Sequence, residues 1–359
     1  MSIESRKGKA PQKSNGSVHA TLRDVAKLAG VSIKTVSRVV NHQGEIKETT
    51  RQRVQTAIDH LGYRPNVLAR SLIHQHSNTL AVVAWGIDYY GPSRTVVGIE
   101  KQANELGYSL FLNLVNNPDD GVYEGILDTL IARRVDGIIW AIPEVGNNRN
   151  WIKPSHLEQL IPIVFLSMES HAGLCVVKVD NRYGAILATR HLIEQGRKKI
   201  GIITGPLAWW EARERLIGWQ EALQQAGLDP TPSLVFTSDD WSAVNGEQGM
   251  RALLSQEPDL DAVFACNDQI ALGALGAVHA MGRSIPKNIA VVGFDNTPES
   301  AFFWPPLTTV YQQLIDVGCV AVKHLHRMIL DRRVHGGPDE VLTTVIKPEL
   351  IVRASSLNS

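Results

Sequence analysis

From residue 79 onward, short β-branched runs alternate with amphipathic helical stretches along the chain. Strand-like runs include TLAVVA (79–84), DGIIWA (136–141) and IAVVGFDN (289–296), and helical patterns such as YGAILATRHLIEQG (183–196) lie between such runs. This alternation predicts parallel α/β sheets with helices packed on their faces. Because the roughly 280 residues involved exceed one doubly wound unit, we expect two lobes.

A purely helical pattern precedes this region. Thr21 can cap a helix with Asp24 three positions later, as in a capping box, and apolar residues then recur at helical spacing. Gly30 interrupts the pattern, and Ser32 can cap a second helix. Two short helices joined by a tight Gly-containing turn form the helix-turn-helix motif, whose second helix lies in the DNA major groove. An ordinary helical hairpin with a solvated face fits this stretch equally well.

A third helix is predicted in ETTRQRVQTAIDHLGYRPN (48–66), where an apolar stripe ends at Leu61, Gly62 is a stop signal and Pro65 is a breaker. A short helical segment can follow from Asn66 through Leu72. Because one short isolated helix is marginal in water, we expect this segment to become ordered only with a partner.

Charge is distributed unevenly along the chain. The formal net charge of the whole chain is zero, yet residues 1–76 contain 13 Lys and Arg against five Asp and Glu. The first 76 residues therefore carry a net charge of +8 and the remainder carries −8. A basic head on an acidic body favours binding to phosphates, whereas a merely solvated surface more often mixes the two signs.

Several classes of protein are disfavoured by the sequence. No apolar run approaches the ~18 residues of a membrane helix, and no secretory signal is visible at the N-terminus. The three cysteines are far apart and outside any C-x-x-C spacing, which favours reduced thiols in a cytoplasmic protein. Because the chain also lacks the common catalytic motifs, we expect neither an enzyme nor a cofactor nor a metal site.

Two segments carry a family resemblance. TLRDVAKLAGVSIKTVSRVVN (21–41) followed by YRPNVLARSL (63–72) resembles the DNA-binding head and hinge of the LacI/GalR family of bacterial transcription regulators, and the similarity continues to about residue 350. The resemblance implies an α plus α/β fold class. It consists of an N-terminal three-helix helix-turn-helix head with a hinge helix, followed by a two-lobed, periplasmic-binding-protein-like α/β body.

The family fold also implies a division of the chain into segments. We expect a disordered basic arm over 1–18, the helix-turn-helix DNA-binding domain over 19–64, a hinge helix and linker over 65–78, and an effector-binding and dimerisation body over 79–341 and 342–359. With three crossovers between the lobes, the first lobe is expected at about 79–178 plus 312–341 and the second at about 179–311 plus 342–359.

Roles in DNA binding follow from the resemblance. Arg38 matches the side chain that reaches a guanine, and Ile33 and Lys34 match the positions that most vary operator preference. Leu72 matches the hinge leucine that wedges between base pairs from the minor groove, although a linker leucine packed on the body is an alternative. The full expected DNA-binding set is Thr21, Leu22, Ser32, Ile33, Lys34, Thr35, Ser37, Arg38, Asn41, Asn66, Ala69 and Leu72.

Effector binding is expected where strands end, because ligands of open α/β sheets lie outside the carboxyl ends of the strands. Asn267 and Asp295 follow two predicted strands and Arg215 lies on a helix that follows a third, and in the family these positions hydrogen-bond effector hydroxyls. Loop capping by Asn267 and Asp295, and a surface ion pair of Arg215, are the structural alternatives. The full expected effector-binding set is Trp85, Tyr89, Ser167, Arg215, Trp241, Asn267, Asp295 and Leu314.

Tryptophan and tyrosine residues add to this prediction. An aromatic face can stack on the apolar face of a pyranose, and Trp241 in the DWSA segment (240–243) matches a sugar-stacking tryptophan of the family. Core packing is the alternative for any single tryptophan. Ser167 and Leu314 depart from the pattern of one sugar-responsive family member, which leaves the particular sugar open. The aromatic residues expected near the pocket are Trp85, Tyr89, Tyr90, Trp209, Trp210, Trp241 and Trp304.

Together these features predict a cytoplasmic, nucleoid-associated homodimer that binds double-stranded, pseudo-palindromic operator DNA and is released by a sugar or glycoside. The leucine heptads that make tetramers in the family are absent from the final RASSLNS, so we expect a dimer. A regulator corepressed by a purine, a nucleoside or another small metabolite is the first alternative. A sugar-binding transport protein is the second.

Overall fold

The computed structural model of the chain describes residues 20–41, 43–64, 76–118, 123–152, 161–335 and 342–357. The chain forms two compact units, 1–77 and 78–359. The predicted basic arm and the hinge positions Asn66, Ala69 and Leu72 lie outside the described residues.

The first unit contains three short helices, α1 (Leu22–Ala29), α2 (Ile33–Val40) and α3 (Glu48–Leu61). Thr21 and Asp24 form the predicted capping box, in which the Thr21 amide donates to Asp24 Oδ2 at 2.9 Å. Gly30 ends α1 in the left-handed conformation with φ 63°, which glycine adopts without a steric penalty. The buried side chains between the helices are those of Val25, Ala26, Ala29, Val36, Val39, Val54 and Ala57.

The second unit alternates strands and helices. In chain order its elements are β1 (Thr79–Ala84), α4 (Tyr90–Glu105), β2 (Ser109–Leu114), α5 (Tyr123–Ala132), β3 (Gly137–Ala141), β4 (Ile163–Leu166), β5 (Cys175–Val179), α6 (Asn181–Glu194), β6 (Ile200–Thr204), α7 (Trp210–Gln225), β7 (Val235–Thr237), α8 (Ala243–Gln256), β8 (Ala262–Ala265), α9 (Asp268–Ala280), β9 (Ala290–Asp295), β10 (Thr308–Tyr311), α10 (Leu314–His335), β11 (Thr343–Ile346) and β12 (Glu349–Ile351).

These strands form two sheets, one in each lobe. The strand order is β11-β5-β4-β3-β1-β2 in the first sheet and β12-β10-β9-β8-β6-β7 in the second. All described pairings are parallel except that of β10 with β12. Central strands such as β3 and β9 are buried along their whole length, because helices cover both faces of a parallel sheet. The predicted fold class, a three-helix head followed by a two-lobed α/β body, is confirmed.

The chain passes between the two lobes three times: after β5, between β10 and α10, and between β11 and β12. The third crossing lies later than expected, and the predicted boundary between residues 341 and 342 is wrong. Thr343 pairs with Val176 and Ile346 pairs with Val179, so β11 belongs to the first sheet. The first lobe therefore continues through Ile346. Of the C-terminal segment, the part from β12 onward belongs to the second lobe.

Within the described part of the chain, no helix is both long and apolar enough to span a membrane. Cys175, Cys266 and Cys319 form no disulfide.

Candidate functional site

The exposed face of α2 carries the side chains expected to contact DNA. Val36 and Val39 point into the head, whereas Lys34 and Arg38 are exposed on the opposite side. Ile33 is 45% exposed, although an isoleucine side chain gains free energy from burial. This face is thus a mixed basic and apolar surface, suited to phosphates and to base edges with a thymine methyl group.

Hydrogen bonds order the two ends of α2. Ser32 caps the helix, with its Oγ accepting from the Thr35 amide at 3.1 Å and lying 2.9 Å from Thr35 Oγ1. At the other end, the Asn41 side-chain amide donates to Ser37 Oγ at 3.3 Å. Four members of the expected DNA-binding set therefore share local hydrogen bonds at the two ends of α2, which restrict the directions of their side chains.

Leu22 and Arg38 are placed differently within the head. Leu22 is half-buried and packs against the apolar core, so only part of its side chain remains at the surface. The guanidinium of Arg38 lies beside Gly44, where a Cβ atom would approach Arg38 Nη2 to 3.3 Å. DNA contact by the members of the expected set stays a prediction.

A cavity of about 430 Å³ lies in the body at the carboxyl ends of strands from both sheets. Seven of the eight expected effector residues line it. From the first lobe come Tyr89, Ser167 and Leu314, and from the second come Arg215, Trp241, Asn267 and Asp295. The volume falls within the roughly 300–1,000 Å³ of small-ligand sites.

Arg215 is the centre of a buried polar network on one side of the cavity. Its Nε donates to Asn181 Oδ1 at 2.8 Å, one terminal nitrogen donates to the Cys266 carbonyl, and the other donates to Gln312 Oε1 at 3.3 Å. Gln312 in turn donates through Nε2 to Asp295 Oδ1. Gln312 thus links the arginine to the carboxylate, and the surface ion pair considered for Arg215 is not formed.

Asp295 occupies an unusual position at the end of β9. Its φ of 123° lies in a region that non-glycine residues rarely adopt, and such strain is concentrated at functional sites. Burial raises the pKa of its carboxyl group to about 7, although the neighbouring Arg215 opposes the rise. Asp268 lies nearby, accepts hydrogen bonds from Thr297 and Thr309, and has a pKa raised by burial to about 6.

Asn267 combines a structural role with its place on the cavity wall. Its Oδ1 accepts from the Ile270 amide at 2.7 Å and caps α9, while its Nδ2 donates to the Trp241 carbonyl at 3.1 Å. One N–H of the side-chain amide remains for a ligand, because an amide nitrogen carries two. The expected capping role and the expected position at the effector site therefore coincide in this residue.

Four aromatic rings form a cluster across the cleft, which we call the aromatic cluster: Trp85, Tyr89, Trp209 and Trp241. Trp209 is central, with ring centroids 5.2 Å from Trp85, 5.6 Å from Tyr89 and 5.6 Å from Trp241. Since Trp85 and Tyr89 belong to the first lobe and the other two to the second, the cluster packs one lobe against the other at this end of the cavity.

Three aromatic predictions are corrected by the structure. Trp85 packs behind Trp209 and Tyr89 and is not among the lining residues, so it supports the wall without facing the cavity. Trp210 is buried away from the cavity, with Lys178 Nζ 4.9 Å from its ring centroid. Trp304 is 83% exposed on the surface. Tyr90 and Trp209, by contrast, do line the cavity.

Backbone contacts also join the lobes beside the aromatic cluster. Val145 and Trp209 form an antiparallel bridge, in which the Gly146 amide donates to the Ala208 carbonyl at 2.9 Å. Glu144 adds an ion pair to Arg213 at 3.0 Å. Since these contacts join loops of different lobes, they depend on the lobes lying close together at this edge.

Sequence reasoning missed two of the polar residues in the cavity wall. Gln312 follows β10, a strand that was not predicted, and so it carried no signal of its own. Glu211 lies four residues before Arg215 on α7 and shares its face, a signal that helical periodicity could have revealed. No group of side chains suited to a metal ion occurs among the residues that the structure describes.

Family comparisons agree with this architecture. Residues 21–66 match the description "Bacterial regulatory proteins, lacI family", and residues 189–356 match "Periplasmic binding protein-like domain". The HTH-type transcriptional repressor PurR of Haemophilus influenzae is 35% identical over 339 residues, covering 94% of this chain and 98% of that protein. The chain belongs to the LacI family of bacterial regulatory proteins. It is a DNA-binding transcriptional regulator, as the sequence of its helix-turn-helix head predicted.

Two solved structures show the same architecture as this LacI-family chain. The lac repressor dimer bound to operator and the anti-inducer ONPF superposes with a TM-score of 0.83 at 30% identity, covering 95% of this chain and 100% of that one. The transcriptional regulator CelR in complex with cellobiose gives a TM-score of 0.66 at 31% identity, covering 94% of this chain and 100% of that one.

Gly205 controls the position of Trp241 in this LacI-family protein. A Cβ atom at Gly205 would lie 2.3 Å from the Trp241 ring, far inside contact distance. We therefore expect Gly205→Ala to displace the ring, shift the tryptophan fluorescence maximum and weaken effector binding severalfold. Gly276→Ala is the matched control, because nothing lies within 4 Å of a Cβ there. Equal fluorescence spectra for Gly205→Ala and the native protein would contradict this view of the cavity wall.

Proposed function

We propose that the protein is a homodimeric repressor of carbohydrate-utilisation genes that leaves its operator when a sugar or glycoside enters the cleft. The observation that carries the proposal is the pairing, in one cavity, of the aromatic rings Trp209 and Trp241 with the polar network of Arg215, Gln312 and Asp295. An aromatic ring suits the apolar face of a pyranose, and charged groups form strong, directional hydrogen bonds with its hydroxyls.

Similarity to a regulator solved with a bound sugar supports this effector class. CelR was solved with cellobiose, and the lac repressor with ONPF and with ONPG, at sequence identities of 30–31%. These identities are similar to the 35% shared with PurR. Sequence identity therefore does not distinguish a sugar effector from a purine effector. The proposal of a sugar rests on the chemistry of the cavity.

DNA binding by two copies follows from the geometry of the motif. A single head reads one half-site through the exposed face of α2, and a twofold dimer places a second head on the other half-site. The lac repressor was solved as a dimer on its operator, which supports the same arrangement here. We accordingly expect a pseudo-palindromic operator and a protein that works in the cytoplasm, beside the chromosome.

Effector binding can be coupled to DNA binding through the crossings between the lobes. A sugar that contacts both lobes changes their relative position, which alters the spacing of the two heads. A 100-fold loss of operator affinity requires only about 2.7 kcal/mol of coupling, within the usual range. By reciprocity, operator DNA must weaken sugar binding by the same factor.

A purine or nucleoside corepressor is the second candidate. It is favoured by the similarity to the PurR repressors over 94% of this chain. An aromatic wall also suits a flat base. The two candidates predict opposite changes in operator affinity, because an inducer weakens operator binding whereas a corepressor strengthens it.

Operator release is the experiment that tests the proposal. A labelled operator is selected from random DNA with the full-length protein, and its binding is followed by fluorescence anisotropy. Glucosides, galactosides, xylosides and short oligosaccharides are titrated in, with purines and nucleosides as the opposing set. We expect one class of sugar to lower operator affinity by about 100-fold, a factor within the usual range of allosteric coupling. Tighter binding with a purine would instead establish the corepressed regulator.

A further inference from the structure

Asp268 is a fully buried acid that lies behind the cavity wall. It is the first residue of α9, directly after Asn267, and its side chain has no exposure to solvent. It is not among the residues that line the cavity, so it is not placed to touch a ligand there. A buried carboxyl group costs free energy unless hydrogen bonds compensate for it, and its partners therefore indicate what it does.

Both oxygens of the Asp268 carboxyl group accept hydrogen bonds from the chain beyond α9. Oδ2 accepts from the Thr297 amide at 2.7 Å and from Thr297 Oγ1 at 3.1 Å. Oδ1 accepts from Thr309 Oγ1 at 2.5 Å. All three partners are donors, and an ionised carboxylate is the side chain that accepts at both of its oxygens. Asp268 thus ties α9 to β10 and to the loop after β9.

The loop held by these bonds has an unusual backbone. Asp295 has φ 123° and Asn296 has φ 53°, which makes them two consecutive non-glycine residues with positive φ. Such conformations are unfavourable and persist only where the surrounding structure holds them. The Asn296 amide donates to Thr309 Oγ1 at 3.2 Å, and this is the same hydroxyl that donates to Asp268. Asp268 therefore holds Thr297 directly and Asn296 by way of this hydroxyl.

A glycine in β9 provides the space for the Asp268 carboxylate. A Cβ atom at Gly293 would lie 2.4 Å from Asp268 Oδ1, which is closer than two atoms in contact can approach. Gly293 is also the partner of Thr309 in the parallel pairing of β9 with β10. The carboxylate is thus fixed beside the two strands whose carboxyl ends carry Asp295 and Gln312.

The direction of the Asp295 carboxyl group depends on this backbone. Its side chain is short, so the backbone conformation largely decides where the carboxyl group points. In the observed conformation Asp295 lines the cavity, and its Oδ1 accepts a hydrogen bond from Gln312 Nε2. A change to negative φ would move the Cβ atom and take the carboxyl group out of this position.

We infer that Asp268 is a positioning residue, which does not touch the effector but holds the loop after β9 so that Asp295 faces the cavity. This inference rests on the proposed function, in which Asp295 bonds to the effector, and it adds a residue that acts through Asp295. Removal of the Asp268 carboxylate should therefore lower effector affinity and leave operator affinity unchanged in the absence of effector.

The test is a double-mutant cycle on the full-length protein. Cellobiose, lactose, methyl β-glucoside, methyl β-galactoside, hypoxanthine and guanine are assayed by calorimetry on the native protein, and a compound that binds becomes the probe. Asp268→Ala removes all three hydrogen bonds, and we expect it to bind the probe about tenfold more weakly than the native protein. In an Asp295→Ala background, the same substitution should cause no further loss of affinity.

A conservative variant and a matched control accompany the cycle. Asp268→Asn keeps one oxygen for the Thr297 amide, so it should regain part of the probe affinity, and it supports the same cycle if the alanine variant is unstable. Asp261 lies before β8, at the opposite end of that strand, and accepts from the amides of Lys198 and Lys199 at 2.9 and 3.0 Å. Asp261→Ala should lower the melting temperature as well, but its probe affinity should remain native.

A ligand-free measurement examines the loop itself. Crystal structures of the native protein and of Asp268→Ala, each without ligand, give φ of Asp295 and the position of its carboxyl group. We expect Asp295 to lose its positive φ and its hydrogen bond from Gln312 in the variant. A native loop in Asp268→Ala would overturn the inference, whichever ligand the protein binds.

Other outcomes separate the inference from the proposed function. An equal loss of probe affinity with and without the Asp295 side chain overturns the inference alone, because the effect would then pass through the neighbouring Asn267 or through the fold as a whole. Native probe affinity of Asp268→Ala also overturns it alone. Binding of hypoxanthine or guanine with no binding of any sugar overturns the proposed sugar effector, and the cycle run with that purine then decides the inference by itself.

Discussion

Arg38→Ala should strongly weaken specific operator binding and leave the fold of the head intact. Arg38 is exposed on the outer face of α2, and its guanidinium lies beside Gly44, outside the apolar core. A bidentate Arg–guanine contact contributes about 1–3 kcal/mol of discrimination, and a dimer loses it in both half-sites. We therefore expect a loss of about 2–6 kcal/mol, roughly 30-fold to 20,000-fold, measured by anisotropy on the selected operator and on random DNA.

Arg51→Ala is the control for the loss of charge. Arg51 lies on α3, where its side chain pairs with Glu48 at 3.7 Å, so the substitution removes one positive charge without touching α2. Both variants should lose some affinity for any DNA, because each removes a cation from a basic head. Only Arg38→Ala should lower the ratio of operator affinity to random-DNA affinity. If that ratio stayed at its native value, Arg38 would contact phosphates and not a base.

The head could be predicted almost entirely from the sequence because its signals are local. The capping box of Thr21 and Asp24, the cap at Ser32 and the glycine stops at residues 30 and 62 each act within four residues of their partners. The exception is the start of α3, where the Lys47 side chain makes no capping hydrogen bond. Local rules therefore describe a small three-helix domain well.

The sheets were predictable in their centres but less so at their edges. Long buried runs such as β1 and β9 are unmistakable, whereas β7, β11 and β12 have only three or four residues. In β10, Thr308 and Thr309 are fully buried, because Arg353 and Asp268 accept hydrogen bonds from their hydroxyls. These partners are more than 40 residues away in the chain, so no local pattern could reveal the strand or place its neighbour Gln312 in the site.

Within the site, the predictable residues were those that end strands. Asn267 follows β8 and Asp295 ends β9, and the position of ligands at strand ends in α/β sheets was sufficient to find them. Side-chain direction was not predictable in this way, which is why Trp85 was expected in the wall but lies behind it. Glu211 was passed over because a glutamate in a helix is usually solvated, and its burial becomes visible only when the two lobes are placed together.

The proposed effector contacts and the proposed lobe movement involve the same stretches of chain. Asn181, Gln312 and Leu314 line the cavity, and all three lie at or beside crossings between the lobes. Asn181 and Gln312 also bond to Arg215. A ligand that rearranges the Arg215 network therefore acts directly on two of the three connections about which the lobes can move. This placement gives the proposed coupling a physical route without a separate relay through the core.

Asp295→Ala should produce a repressor that still binds its operator but is no longer released by the sugar. The substitution removes the acceptor of the Gln312 hydrogen bond and the acid that most favours the charged form of Arg215, and with them the expected partner of a sugar hydroxyl. Because a hydrogen bond to a charged group contributes about 1.5–3 kcal/mol, we expect effector affinity to fall about 10- to 100-fold. Calorimetry measures the affinity, and anisotropy measures the operator release.

Two further variants distinguish a direct contact of Asp295 with the effector from a purely structural role. Asp259→Ala, which removes an exposed acid of the second lobe that pairs with Lys199 at 3.7 Å, should leave both affinities unchanged. Asp295→Asn keeps the shape of the side chain and an oxygen for Gln312, so loss of release in this variant as well would assign the effect to the charge. Full release of Asp295→Ala at native sugar concentrations would show that the carboxylate does not contact the effector.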